Sequence, residues 1–166
     1  MIIIGIDPGS VITGYAIITK EKGQEGPQLK VVDFGCIITD KFATTGERLK
    51  KIHGEIIKLI EKYKPDAMSI ETLFFFKNVK TVMPVSQTKG VILLAAAEKK
   101  LFVYEFTPLQ VKMAIAGYGR AEKKQVQKMI EKTVDLTNFD LKKNNRKKDD
   151  AYDAIGVAIC AALKSY

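Results

Sequence analysis

The 166-residue sequence predicts an α/β protein, with a mixed five-stranded sheet and helices on both of its faces. Apolar segments of strand length lie close together near the start, joined by short connections, which favours an antiparallel arrangement of the first three strands. Later apolar segments alternate with stretches of helical periodicity, which favours further strands added in parallel. With no repeat, low-complexity tract or linker, this length predicts a single domain over residues 1–166.

Two polar turns are predicted to connect the first three strands. An apolar run leads directly into Asp7 and a Pro8-Gly9 turn, so the first two strands are predicted to form a hairpin. A polar, glycine-containing turn is predicted at Lys20–Gln28. The strands themselves are predicted at Ile2–Ile6, Gly14–Thr19 and Leu29–Thr39.

A helix is predicted to follow, since Thr44 and Glu47 have the spacing of a capping box. Apolar residues recur at helical spacing as far as Tyr63, and Lys64-Pro65-Asp66 ends the helix. His53 lies beside the apolar stripe, so we expect a surface position rather than a metal ligand. The fourth strand is predicted at Ala67–Glu71.

The second half of the chain is predicted to be mostly helical. One helical stretch reaches about Lys100, and its regular part is expected to begin near Pro84, because proline disfavours helix interiors. Thr107 and Pro108 open a short helix as cap and first-turn proline. The remaining elements are a fifth strand at Phe102–Phe106, a helix at about Ala121–Thr133, a loop at Leu136–Lys148 and a last helix at about Asp149–Leu163.

The amino-acid composition favours some classes of function and disfavours others. The chain has 27 Lys and Arg against 19 Asp and Glu, a net charge of +8, which suits binding to the phosphate backbone of nucleic acid; a merely solvated basic surface is the alternative. Cys36 and Cys160 lie in apolar runs and are expected to be reduced, which favours a cytoplasmic location. No signal-peptide pattern or membrane-length apolar span is found. With His53 the one histidine, zinc sites and histidine-based triads are disfavoured.

Carboxylates stand where otherwise apolar elements end, at Asp7, Glu71 and an Asp149-Asp150-x-x-Asp153 group. On a helix, Asp153 shares a face with both Asp149 and Asp150, so spacing alone does not choose between those two. If the elements meet at one edge of the sheet, four acids converge and should either take up protons or bind hard divalent cations such as Mg²⁺ or Mn²⁺. Two such ions can hydrolyse a phosphodiester without a histidine. The alternative is a set of unrelated capping and surface acids.

Six segments in order give the chain, over nearly its full length, a resemblance to a known family. Together they resemble the RuvC-type Holliday-junction resolvases, nucleases of the RNase H-like superfamily. The segments are Ile4-Gly5-Ile6-Asp7-Pro8-Gly9-Ser10 with Thr13-Gly14-Tyr15, Ile70-Glu71 with Phe74 and Lys77-Asn78, Gln87 with Gly90, Gln110-Val111-Lys112, Ala121-Glu122-Lys123 with Gln125-Val126, and Asp150-Ala151-Tyr152-Asp153-Ala154.

The resemblance implies an RNase H-like fold and a structure-specific endonuclease that resolves four-way DNA junctions in recombination and repair. It implies two Mg²⁺ ions in each active site, replaceable by Mn²⁺, and paired cuts that leave 5′-phosphate ends. It favours Asp150 over Asp149. The implied catalytic and metal-binding residues are Asp7, Glu71, Asp150 and Asp153, and the implied DNA-binding residues are Phe74, Lys77, Lys89, Lys112 and Lys123.

The implied partners are four-way junction DNA, a second copy of the chain and a branch-migration helicase complex. The apolar segment Val91–Ala97 is compatible with a dimer helix and equally with a core helix. The residue after Glu71 is commonly glutamine in the family and is Thr72 here. The basic run Lys142–Lys148 is either an added DNA arm or a solvated segment.

Three other functions are open at this point. One is a non-catalytic junction-binding protein, against which the four intact acids argue. Another RNase H-like nuclease, acting on other branched DNA or RNA intermediates, would carry the same acids. An actin-like ATPase fragment could use the Asp7-Pro8-Gly9 turn on nucleotide phosphates. That protein class needs further glycine-rich phosphate loops, which the sequence lacks.

Overall fold

The computed structural model describes residues 1–23, 26–72, 79–136, 139 and 148–164. Within these ranges the chain forms one sheet and five helices. The strands are β1 (Ile2–Asp7), β2 (Ile12–Gly23), β3 (Gly26–Ile38), β4 (Ala67–Glu71), β5 (Phe102–Phe106) and β6 (Val134–Asp135). The helices are α1 (Thr45–Tyr63), α2 (Val79–Glu98), α3 (Pro108–Ala116), α4 (Lys123–Thr133) and α5 (Lys148–Lys164).

The sheet has the order β5-β4-β1-β2-β3-β6. The pairs β1–β2 and β2–β3 are antiparallel, whereas β4, β5 and β6 join their neighbours in parallel. This arrangement confirms the predicted mixed sheet with an antiparallel start. The predicted strand count of five was wrong by one, because β6 adds a two-residue parallel pairing of Val134 with Leu29 and Asp135 with Lys30. Two residues are too few to show strand periodicity in a sequence.

The hairpin formed by β2 and β3 is longer than expected. Strand pairing continues through most of the segment predicted as a polar turn, with Lys20 opposite Leu29 and Glu21 opposite Gln28. An antiparallel ribbon can carry polar side chains on both faces where it extends beyond the core, so its hydrophobic alternation is weak there.

Helix α1 confirms the local predictions. The Thr44 side chain accepts a hydrogen bond from the backbone N–H of Glu47, whose own carboxylate caps Thr44 in return. The apolar stripe, including Ile52 and Ile56, is buried against the sheet. His53 lies 2.9 Å from a carboxylate oxygen of Glu98, so it links α1 to α2.

Helix α2 corrects the expectation that a regular helix begins near Pro84. The helix begins at Val79 and continues through the proline. A proline interrupts a single backbone hydrogen bond, a loss that packing of the helix can offset. Further along, Ile92 is fully buried while Leu94 is 53% exposed, so α2 presents one face to the core and one face to solvent.

The core lies in two layers, one on each face of the sheet. Alternate residues of β1 point to opposite faces, with Ile4 and Ile6 packed on the side of α1 and α2, and Ile3 on the side of α3, α4 and α5. Helix α5 is buried along most of its length. None of the helices within the described ranges is both long and apolar enough to cross a membrane.

Candidate active site

Two of the predicted acids end neighbouring parallel strands. Asp7 is the last residue of β1 and Glu71 the last residue of β4, and the residues before them, Ile6 and Ile70, are paired in register. Both isoleucines pack against α1 and α2, so the strand alternation turns Asp7 and Glu71 toward α5. The two carboxylates therefore lie side by side at one edge and on one face of the sheet.

Helix α5 brings the other two acids to the same place. It packs across β1 and β2 with its first turn at the Asp7 end, since the backbone of Asp150 lies against Gly14, the partner of Asp7 in the β1–β2 pairing. The negative charges of Asp153 and Asp150 act on Asp7, and that of Asp153 acts on Glu71. The structure thus brings together all four acids that the sequence singled out.

Burial and neighbouring negative charge raise the pKa values of Asp7 and Glu71. Burial, followed by the charge of Glu71, raises the pKa of Asp7 to about 8, and burial with the charge of Asp153 raises the pKa of Glu71 to about 7. Hydrogen bonding between the two carboxyl groups adds to the raised pKa of Asp7 and lowers that of Glu71. Carboxyl groups in this state hold a proton unless a cation replaces it.

Lys123, at the start of α4, supplies a cation to the cluster. Its Nζ lies 3.0 Å from Oδ2 of Asp153 and 3.5 Å from Oδ2 of Asp149. Burial alone would lower the pKa of Lys123, but the hydrogen bonds and charges of Asp153 and Asp149 outweigh it and raise that pKa. Burial raises the pKa of Asp153, although Lys123 opposes this shift.

The four acids offer only carboxylate oxygens, which suits a hard divalent cation. Asp7, Glu71 and Asp153 are largely buried, so the negative charge is poorly solvated. Among the described residues no three Asp, Glu, Cys or His side chains already surround a single point, and Asp153 is paired with Lys123. The residues fit a divalent metal in chemistry and in location.

The turn after Asp7 is fixed by buried hydroxyl groups. Thr13 donates a hydrogen bond of 2.7 Å to the carbonyl of Gly9, and Thr39 lies 3.2 Å from the carbonyls of both Ser10 and Val11. A Cβ atom at Gly9 would lie 1.9 Å from the carbonyl oxygen of Ile12, so only glycine fits this turn. The backbone beside Asp7 is therefore held rigidly next to the carboxylates.

Thr72 holds the chain that follows Glu71. Its backbone N–H donates to the carbonyl of Phe106 at 2.7 Å, and its hydroxyl lies 3.2 Å from the same oxygen. Thr72 thereby continues the pairing of β4 with β5 beyond Glu71. What threonine adds in place of the family's usual glutamine is the hydroxyl contact with Phe106.

A cavity of about 340 Å³ adjoins the acids, between α3, α4 and α5. Charged side chains form one side of it, and apolar side chains form the rest. The charged residues are Glu71, Lys112, Lys123 and Asp153, and the apolar ones include Val111, Val126 and Ile130. Two of the predicted DNA-binding lysines therefore lie beside the predicted catalytic acids.

The other predicted DNA-binding residues are placed differently or lie outside the described ranges. Lys89 forms an ion pair with Glu105 of β5, and only 20% of its side chain is exposed, so part of its charge is already neutralised. Phe74 and Lys77 fall among residues 73–78, outside the described part of the chain, as does most of the basic run at 142–147.

Sequence reasoning missed the residues that support this site. The buried hydroxyls of Thr13, Thr39 and Ser69 bond to backbone carbonyls far along the chain or across a turn, and no sequence pattern announces such contacts. A signal did exist for Gly5 and Gly14, because glycine inside a strand often marks a close approach of another backbone.

Acids at the ends of two central strands, with more acids on a helix packed over the same edge, are the arrangement of an RNase H-like nuclease. The model of the crossover junction endodeoxyribonuclease RuvC family matches residues 3–161. The chain belongs to this family, whose activity depends on a divalent metal ion.

Individual relatives agree with this assignment. The chain is 49% identical over 162 residues to crossover junction endodeoxyribonuclease RuvC of Alkaliphilus metalliredigens, covering 98% of this chain and 93% of the relative. It is 47% identical over 160 residues to that of Halothermothrix orenii, covering 96% and 91%. Among solved structures, Thermus thermophilus RuvC in complex with Holliday junction substrate is similar, with a TM-score of 0.86, 27% identity and coverage of 99% and 94%.

Proposed function

We propose that this protein is a Mg²⁺-dependent endonuclease that resolves four-way DNA junctions by paired cuts. The observation that carries the proposal is the meeting of four carboxylates, Asp7, Glu71, Asp150 and Asp153, at one edge of the sheet. The similarity to a RuvC bound to a Holliday junction supports the choice of substrate. The four acids supply the chemistry, and the basic surface supplies affinity for the DNA backbone.

The four acids would hold two Mg²⁺ ions, replaceable by Mn²⁺. When bound, such ions lower the pKa of water and neutralise charge on a phosphate. In the reaction a water oxygen bonds to phosphorus, the bond from phosphorus to the 3′ oxygen breaks, and the 3′ oxygen gains a proton. The ends are then a 5′-phosphate and a 3′-hydroxyl. Lys112 and Lys123, beside the acids, would neutralise the phosphate during attack.

The remaining parts of the proposal concern partners. Phe74 and Lys77 would contact DNA near the crossover, with Phe74 stacking on an unpaired base. Lys89 would contribute only through the charge that Glu105 leaves unneutralised. A homodimer would place two sites on one junction, and the exposed Leu94 face of α2 supports that assembly. We further propose that the protein acts with a branch-migration helicase complex and is located in the cytoplasm.

The test compares four substrates with the purified protein in Mg²⁺: a synthetic four-way junction, a linear duplex, a three-way branch and an RNA–DNA hybrid. We expect paired cuts in the four-way junction and little cutting of the others. The Asp7→Asn variant should bind the junction as the wild type does but cut it at least about 1,000-fold more slowly, because one metal ligand loses its charge. Glu61→Gln, on an exposed position of α1, is the control and should cut normally.

Two results would contradict this proposal. Undiminished cutting by Asp7→Asn would remove the carboxylate cluster from the reaction. Preferential cutting of the hybrid or of the three-way branch would instead favour the second candidate, an RNase H-like nuclease with another substrate.

A further inference from the structure

Helix α5 rests directly on the backbone of the sheet beneath the acids. A Cβ atom built on Gly14 would lie 2.0 Å from the carbonyl oxygen of Asp150, and one built on Gly5 would lie 2.3 Å from that of Ala154. Real Cβ atoms essentially never approach closer than 3.0 Å, so neither position can carry a side chain without moving the helix. In both cases the obstacle is backbone, which no change of rotamer can relieve.

Gly14 has a second neighbour that matters. In the β1–β2 pairing, Gly14 stands directly opposite Asp7. Gly14 therefore lies beside Asp7 on the neighbouring strand and directly beneath the backbone carbonyl of Asp150. The closeness of Asp7 to the first turn of α5 depends on the missing side chain at this position.

Two further contacts hold α5 along its length. The carbonyl of Ala154 and the Cβ of Ala158 leave no room for a side chain on Gly5. Gly5 pairs with Ser69 across β1 and β4. Ser69 is fully buried, and its Oγ donates a 2.7 Å hydrogen bond to the carbonyl of Val157. Glu71 follows two residues later on the same face of β4. The helix is thus tied to the strands that end in Asp7 and Glu71.

We infer that Gly14 is a positioning residue for the metal site: it sets the distance from Asp7 to the acids of α5. Gly5 and Ser69 contact a later part of α5, at Ala154 and Val157, which lies beyond the acids. The inference rests on the proposed function only in taking these carboxylates as metal ligands. An alanine at position 14 must move the Asp150 carbonyl by at least about 1 Å. Mg²⁺ requires oxygens at about 2.0–2.1 Å in near-ideal geometry, so a shift of that size weakens its binding.

The chain offers matched controls for a glycine-to-alanine change. Gly46 and Gly54 lie in α1, and a Cβ on either would meet nothing within 4 Å. Alanine at Gly46 adds the same methyl group to the molecule and favours the helix. Any effect specific to Gly14 therefore reflects its contact with Asp150.

The experiment measures Mn²⁺ binding by calorimetry without DNA, together with the melting temperature, for Gly14→Ala, Gly5→Ala, Ser69→Ala and Gly46→Ala. We expect Gly14→Ala to weaken Mn²⁺ binding at least tenfold, and more than Gly5→Ala does. Gly5→Ala should lower the melting temperature by as much as Gly14→Ala, because both lift the same helix. Gly46→Ala should bind Mn²⁺ as the wild type does.

Wild-type affinity in a folded Gly14→Ala protein would overturn the inference. So would a loss of affinity that merely follows the loss of melting temperature across the variants. If Gly14→Ala does not fold, Ser69→Ala tests the premise that the seating of α5 on the strands sets the geometry of the metal site, because it removes one hydrogen bond to α5 and adds no atom. Mn²⁺ binding should then weaken about threefold, and unchanged binding would overturn the inference. Failure of the wild type to bind Mn²⁺ would instead contradict the proposed function.

Discussion

At the scale of single residues, the candidate site combines clustered carboxylates with a nearby cation, Lys123, that offsets part of their negative charge. Burial and neighbouring negative charge raise the pKa values of Asp7 and Glu71. Asp153 is paired with Lys123, whose Nζ lies 3.0 Å away. Under the proposed function, a metal ion held by these acids would replace a proton on them and compete with the ammonium group of Lys123. Lys123 would then be available to neutralise the substrate phosphate.

We therefore predict opposite effects of Lys123→Gln on metal binding and on cleavage. Loss of the ammonium group should strengthen Mn²⁺ binding about threefold to tenfold, because a positive charge next to a metal ligand opposes the metal. Junction cleavage should slow at least about tenfold, since the phosphate loses a neutralising contact. Calorimetry without DNA and single-turnover cleavage measure the two quantities.

Lys128→Gln provides the matched control for that prediction, because it removes the same charge from an exposed position of the same helix. Both quantities should stay near wild type in this variant. Weaker Mn²⁺ binding by Lys123→Gln would show that the lysine supports the metal site instead of competing with it.

At the scale of elements, α3 and α2 each contain a proline, but at positions with different effects on the helix. Pro108 stands at the start of α3, where the missing N–H has no helical partner to lose and the fixed φ angle suits the first turn. Pro84 stands inside α2, five residues after its first residue, and takes away a hydrogen bond to the carbonyl of Lys80. Sequence reasoning interpreted Pro84 as a boundary because it weighed local propensity alone. Buried residues further along α2, including Ile92, supply the packing that outweighs it.

Pro84→Ala should raise the free energy of unfolding by about 1–3 kcal/mol, because it restores a helical hydrogen bond and removes a steric clash. Thermal unfolding would show this as an increase of several degrees in melting temperature. Pro108→Ala is the contrasting change and should give no increase. A lower melting temperature for Pro84→Ala would mean that packing of the ring matters more than the hydrogen bond.

At the scale of the whole molecule, one face of α2 is not covered by any other described part of the chain. Leu94 is 53% exposed and Met83 is 69% exposed, on a helix whose other face is buried. Resolving a four-way junction requires two cuts, so a second copy packed on this face would supply the second site. A covered face of this kind would also explain why Val91–Ala97 fitted both a core helix and a dimer helix in the sequence.

Leu94→Glu should therefore produce a monomer. Each copy would lose the burial of one leucine and gain a charge at the contact, which should raise the dimer dissociation constant roughly 100-fold or more. Sedimentation measures the oligomeric state, and cutting of a cruciform plasmid distinguishes paired from single cuts. We expect Leu94→Glu to give single nicks in place of paired ones.

Phe42→Glu is the control for the dimer prediction, since Phe42 is 85% exposed and lies in the loop before α1, not on α2. It should remain a dimer. A dimeric Leu94→Glu protein would place the subunit contact on another surface.

The sequence by itself determined the order and type of the predicted elements and the positions of the four acids. Strand alternation and helical periodicity arise from neighbouring residues, so β4, β5 and the capping box of α1 could be predicted with their bounds. Spacing on α5 left Asp149 and Asp150 equivalent. The family resemblance chose Asp150, and in the structure Asp149 lies beside Lys123 and Gln127, at the edge of the cluster.

Only the tertiary structure decided what surrounds those acids. The pairing of Lys123 with Asp153 joins residues 30 positions apart, and the bond from Ser69 to Val157 joins residues 88 apart. The sixth strand, the ion pair of Lys89 with Glu105 and the contact of Gly14 with Asp150 are likewise set by how elements pack. A local pattern carries no information about such contacts, because their geometry exists only once the sheet and helices have come together.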